Sequence, residues 1–343
     1  MRRALLFATG ALLLPVAPTG IAAQEIQIDE WEVPWAQSRP RDPMVGPDGK
    51  VWFVGQRSDY VAYLDPPSGH FERFDLEEGA GPHNQVVDPD GTVWYTGNRA
   101  SHIGKLDPNS GEIEKYMMPD ERARDPHTLI HDADCNMWFS VQGGNFIGFF
   151  DKTTGETQLI EAPEVEGGRT PSSRPYGIKV DSQNRPWATL FNTNLIAMVD
   201  REKMELVTYE LPEGARPRRL VIDSNDVVWY VDYARGYLGR LDPETKEVHE
   251  WPNPSGVESR PYGVAIDDDD RVWFVETGVQ PNMFVGFDTE SEEYISVTPL
   301  KSGGGSVRHM YFDGDTNTIW FGSDANTIGR ANLPPKKDSV TDR

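Results

Sequence analysis

The 343-residue chain contains one cysteine, Cys135, so no internal disulfide can hold it together. Its stability has to come from a packed core, and a chain of this length is ample for one. Positive charge is scarce. Lys and Arg number 33 against 55 Asp and Glu, a formal net charge of −22. Such a surface repels polyanions, which argues against nucleic acid and anionic lipid as partners. No long apolar run occurs beyond residue 23, so no membrane span is expected in the body of the chain. Helix-period segments are absent too. In their place, 32 Gly and 27 Pro punctuate short alternating stretches, the signature of an all-β fold.

Residues 1–23 read as a secretory signal: Arg2 and Arg3, an apolar stretch interrupted by Pro15, and a small-residue "GIAA" before Gln24. The expectation is an exported, soluble protein, periplasmic or secreted. Residues 24–334 would form the folded body and 335–343 a flexible tail. Cys135 is expected as a small filler at a turn.

The chain repeats itself. Trp recurs at 52, 94, 138, 187, 229, 273 and 320. Eleven residues before each stands a position that usually follows proline: Arg41, His83, His127, Tyr176, Arg218, Tyr262 and His309. An Ile-Gly-like step, an Asp-Pro turn and a last alternating segment complete each unit. Four short strands, seven times over, predict a seven-bladed β-propeller. The seventh unit stops after three strands, at "TIGRAN". The N-terminal "EIQIDEWEVP" (25–34) looks like a fourth strand without its first three, so it is expected to close the ring as the outer strand of the last blade.

In a propeller the first strand of each blade lines the central tunnel. Counting both ways from the acidic turn makes the residue after proline the cross-strand neighbour of the residue three past Trp. That predicts a mouth lined by Arg41/Gly55, His83/Gly97, His127/Val141, Tyr176/Leu190, Arg218/Asp232, Tyr262/Glu276 and His309/Ser323. Its excess of His, Arg and Tyr stands out on so acidic a protein. Histidine serves proton transfer and metal binding alike. Arg218 and Asp232 have a plainer reading as a cross-strand ion pair, the arginines before the prolines as bridges between blades, and "DDDD" (267–270) as a solvated turn. His70, His102, His131 and His249 fall outside this frame and receive no role.

The repeat "RPxGIxxDxxxxxWFxE…IGRLDPxT" resembles that of the streptogramin B (virginiamycin B) lyase family across residues 25–334. The resemblance implies a seven-bladed propeller that opens a cyclic depsipeptide by elimination. It also implies a histidine as acid/base and a magnesium ion held by glutamates at the tunnel mouth. His309 matches the family's final-blade histidine. The earlier histidine falls on Tyr262, the glutamate before the last histidine on Val307, and the one after the last strand near Asp324. Glu276 matches a glutamate frequent in the family's repeats. This leaves two classes of function. One is a carbon–oxygen lyase, or a metal-dependent lactonase, acting on a cyclic ester or lactone. It would use His309, Glu276 and Tyr262, with Mg2+ or Ca2+ on Glu276 and Asp324. The other is a non-catalytic propeller that binds an anionic or sugar-like ligand, or a protein, through His83, His127, Tyr176, Arg218, Arg41 and Asp232. A monomer is expected in either case.

Overall fold

The computed structural model describes residues 24–165 and 171–337, so the signal segment and residues 338–343 lie outside the described residues. Twenty-eight strands form seven four-stranded antiparallel sheets. Six sheets use consecutive strands. The seventh takes Gln27–Glu32 as its outer strand, antiparallel to Thr327–Asn332, with Ile28 opposite Ala331 and Glu30 opposite Gly329. The ring closes as the repeat count predicts. Glu30 reinforces the closure by accepting from the Ser302 amide at 2.9 Å and from Thr327 Oγ1 at 3.1 Å. The inner strands touch in succession around the axis, and Val307–Asp313 meets both Pro261–Ile266 and Pro40–Val45. Among the described residues the only helix is the 3-10 turn Gly256–Ser259. None is long and apolar enough to cross a membrane.

Each feature of the repeat has a packing reason. Trp138, Trp187, Trp229 and Trp273 sit fully buried in the second strands. A buried indole N–H needs an acceptor. An Asp six residues earlier supplies it in five blades: Asp88 to Trp94 at 2.8 Å, Asp132 to Trp138 at 3.3 Å, Asp181 to Trp187 at 2.8 Å, Asp223 to Trp229 at 2.9 Å and Asp267 to Trp273 at 2.8 Å. In four of these the other carboxylate oxygen caps the turn's own amides, as Asp181 does for Gln183 and Arg185. The Ile-Gly step is steric. A Cβ on Gly104, Gly148, Gly239, Gly286 or Gly329 would collide with the ring of Tyr95, Phe139, Tyr230, Trp273 or Phe321 on the neighbouring strand.

Two local expectations are corrected, those for the acidic run and for Cys135. The acidic run 267–270 is not merely solvated. Asp267 is buried beneath Trp273 and Arg271, while Asp268 and Asp269 hold Lys336 and the Lys337 amide. The described part of the tail, through Lys337, is therefore docked by ion pairs, with Arg271 also donating to the carbonyls of Pro334 and Pro335. Cys135 is exposed in a turn at φ 61°, not an apolar filler.

Candidate functional site

Six of the seven inner strands begin at the repeated proline: Pro40–Val45, Pro82–Val87, Pro126–His131, Pro175–Val180, Pro217–Ile222 and Pro261–Ile266. The register differs from the count made on the sequence. Proline itself, not the residue after it, opposes the residue three past Trp: Pro82 faces Gly97, Pro217 faces Asp232 and Pro261 faces Glu276. Just beyond, each inner strand carries a β-bulge, in which an extra residue stands opposite its partner strand. Between Pro261 and Val264 the inner strand takes three steps while its partner takes two, from Glu276 to Phe274. A bulge re-aims side chains that would otherwise alternate. Here both residues after proline contribute to the tunnel.

The seventh hairpin turn is one residue longer than the others. Val307 therefore occupies the proline position opposite Ser323, Arg308 the next, and His309 the one after that. Two layers result. The first holds Arg41, His83, His127, Tyr176, Arg218, Tyr262 and Arg308. The second holds Asp42, Asn84, Thr128, Gly177, Arg219, Gly263 and His309. His309 is thus not the frame-mate of Tyr262, because the extra turn residue displaces it by one. The same insertion separates Asp313 from Trp320. Asp313 accepts from Thr316 instead, and the buried Trp320 Nε1 has no partner.

The first layer is continuous. His83 and His127 have ring centroids 3.4 Å apart, His127 and Tyr176 4.2 Å, and the Tyr176 and Tyr262 hydroxyls share a hydrogen bond. Arg218 lies over Tyr262, its guanidinium carbon 3.5 Å from the ring centroid, and also stacks on Tyr233 at 4.3 Å and Phe191 at 4.8 Å. In the second layer Asp42 accepts from Arg41 Nε at 3.2 Å and Asn84 Nδ2 at 3.1 Å, with Arg219 3.6 Å away. Sequence reasoning missed Asp42, Asn84, Thr128 and Arg219, since simple alternation turns them away from the axis. Phe191 and Tyr233 sit just beyond the second strands, each four residues past its blade Trp, one step outside the predicted pairs.

This arrangement concentrates positive charge. Arg41 and Arg219 share one carboxylate, that of Asp42, and among the described residues Arg218 has none within 4.0 Å. Three of their nitrogens are buried without a hydrogen-bond partner: Arg41 Nη2, Arg218 Nε and Arg219 Nη2, the last still within ion-pair distance of Asp42. His309 Nδ1 likewise lacks a hydrogen-bond partner. An unpartnered buried guanidinium N–H is costly and calls for an acceptor. Burial, helped by Arg41, pulls His83 and His127 well below the usual imidazole range. Burial and Arg219 do the same to His309. All three are neutral at pH 7. Burial would push the Tyr262 phenol up, but Arg218, then Arg41 and Arg219, outweigh it and bring it down to about 8. Tyr176 moves the opposite way, through burial and the Tyr262 phenolate.

The carboxylates singled out in the sequence lie elsewhere. Glu276 is buried with both oxygens on Ser255, one from its amide at 3.0 Å and one from its hydroxyl, and burial raises its pKa. It does not oppose Tyr262. Asp232 does not pair with Arg218. It accepts from Arg235 Nε and from the amides of Arg216 and Ala234. Asp324 is held by both terminal nitrogens of Arg308, with Arg39 3.6 Å away. The residues before five of the prolines (Arg39, Gly81, Asp125, Arg174 and Arg260) adopt positive φ, a conformation that L side chains avoid.

The sequence matches the family model of the virginiamycin B lyase family in two segments, residues 18–168 and 160–338. The chain belongs to the virginiamycin B lyase family. A streptogramin B lyase structure is 24% identical, covering 91% of this chain and 99% of its own, with a TM-score of 0.79. A catalytically inactive variant of virginiamycin B lyase from Staphylococcus aureus, with quinupristin, is likewise 24% identical, covers 90% and 100%, and gives 0.80. Hydrazine synthase of Kuenenia stuttgartiensis, 13% identical over 88% and 97%, gives 0.72. At these identities the likeness establishes the fold alone. No curated protein matches the sequence.

Within this virginiamycin B lyase family propeller, a divalent cation finds no ready ligand set. Val307 stands where the resemblance would place a glutamate, Ser255 occupies both oxygens of Glu276, and Arg308 occupies both of Asp324. Among the described residues no three His, Cys, Asp or Glu gather into a metal-binding group. The residues present do not fit the ion, and no step is assigned to it.

Proposed function

We propose that this exported virginiamycin B lyase-family protein is a carbon–oxygen lyase for a small anionic ester or lactone bound at the tunnel mouth, with arginines in the place of a metal. The observation that carries this reading is the unpartnered guanidinium nitrogen on each of Arg41, Arg218 and Arg219, gathered around a phenol that they acidify. Elimination next to a carbonyl requires a base for the α-proton and stabilisation of the oxyanion that forms. Tyr262 is the base: its pKa near 8 leaves a usable phenolate fraction at neutral pH. Arg41 and Arg219 hold the developing enolate oxygen. His309, neutral and with Nδ1 free, hydrogen-bonds the departing oxygen. The C–H and C–O bonds break and a C=C bond forms.

The test is incubation with a panel of carboxylate-bearing esters and lactones, following the conjugated alkene product in the ultraviolet, without added metal and with chelator present. Tyr262→Phe should lower the rate about 100-fold or more, as expected for a lost proton-transfer group. Full chelator sensitivity, or full activity in Tyr262→Phe, would sink this mechanism. A second reading has its own support. Tyr176, Tyr262, His83 and His127 are each no more than 5% exposed, so the protein's own side chains close the mouth. That suits an anion held without turnover. Saturable binding of a carboxylate with no product formed on any substrate would favour it.

A further inference from the structure

We propose that the end of the tunnel opposite the mouth is a second binding site, for a small monocarboxylate with an apolar chain, held by Lys179. The repeat makes the case. The inner-strand residue that opposes the blade Trp is Met44, Val86, Ile130, Val221, Ala265 and Tyr311 in six blades, and Lys179 opposite Trp187 in the remaining one. A single ammonium thus replaces an apolar side chain at a position otherwise given to packing. Stability alone gives no reason for it. Among the described residues Lys179 makes no salt bridge within 4.0 Å with any carboxylate, and the nearest charge acting on it is another cation, Arg219.

A cavity of about 230 Å³ opens at Lys179, bounded by inner-strand ends of four successive blades. Ile222, Ala265, Ile266, Met310 and Phe312 are among its walls, and apart from Lys179 only Tyr311 brings a side-chain nitrogen or oxygen to the lining. The volume corresponds to roughly seven or eight water molecules, enough for a carboxylate with a short hydrocarbon chain. Burial, with Arg219 adding to it, brings the Lys179 ammonium down to about 8, so most of it remains charged at pH 7. A cation at the head of an apolar pocket fits an anion with an apolar body. A sugar would find too few hydrogen-bonding groups, and a cation would be repelled. Lys179 itself takes no part in the mouth, although Arg219 and His309, which do, lie within its electrostatic reach.

The experiment is calorimetric titration of the full chain with hexanoate, with hexan-1-ol as the uncharged control. Hexanoate should saturate one site, and hexan-1-ol should bind far more weakly. Lys179→Met should weaken hexanoate about 10- to 100-fold, the usual effect of losing a charge-assisted hydrogen bond, with an unchanged melting temperature. Ile222→Trp, which fills the cavity but keeps the ammonium, should weaken it as well. Arg218→Met should leave this binding intact, because Arg218 belongs to the mouth. The proposal is overturned if hexanoate fails to bind, if hexan-1-ol binds as tightly, or if Lys179→Met binds normally. It is equally overturned if Arg218→Met, rather than Lys179→Met, abolishes binding, since the carboxylate would then sit at the mouth.

Discussion

The acidified phenol at the mouth can be tested without knowing any substrate. Arg218 is the perturbation of choice, because it stacks on Tyr262 with its guanidinium carbon 3.5 Å from the ring centroid. A guanidinium and a phenolate oxygen about 5 Å apart, at an effective dielectric near 20, interact by roughly 3 kcal/mol, or about two pKa units. That is comparable to the whole shift from 10.0 to about 8 at Tyr262. Arg218→Met should therefore return the phenol to its ordinary range or above, since the burial that opposes ionisation remains. The assay is absorbance near the tyrosinate band during a pH titration, with Tyr262→Phe subtracted. The subtraction is workable because Tyr60, Tyr63, Tyr95, Tyr116, Tyr230 and Tyr294 are all pushed upward by burial. The parent should show one phenol ionising near pH 8, shared by the Tyr176–Tyr262 pair and absent from Tyr262→Phe. If the parent shows no step below pH 9, or if Arg218→Met leaves the step in place, the electrostatic account of the mouth is wrong.

Other outcomes follow from the same geometry. Asp181→Ala should cost about 2–3 kcal/mol in urea denaturation, because it strips the buried Trp187 indole and Arg185 of their acceptor; a loss below about 0.5 kcal/mol would show that the repeated Asp–Trp bond is dispensable. Burial works to raise Asp88, but hydrogen bonds from His131, Lys152 and Trp94 hold it at about 2, below its ordinary 3.8. Its contribution, on the order of 2 kcal/mol, should be complete above pH 4 and disappear as pH falls toward 2, and Asp88→Asn should flatten that part of the stability–pH curve. Removing residues 24–34 should unpair Thr327–Asn332 and cause aggregation or a large fall in melting temperature, whereas an unchanged melt would contradict closure by the N-terminal strand.

Much of the architecture was legible in the sequence because it is a local pattern repeated. The Trp spacing, the Asp-rich turns and the missing last strand specify seven blades and their closure, since each blade must bury one face against the next and the chain offers no other partner. The residue types at the mouth were legible for the same reason. Their exact facing was not. A bulge after the proline gains one residue on one strand only, and no hydrophobic alternation announces it. It turned Asp42 and Arg219 toward the axis and removed Glu276 and Asp232 from their supposed partners. One extra residue in the last turn displaced His309 from the layer of Tyr262. The ionisation of Tyr262 likewise belongs to the tertiary structure. It depends on guanidinium groups from separate blades meeting around a buried phenol, and strands far apart in sequence meet there only once the ring has closed.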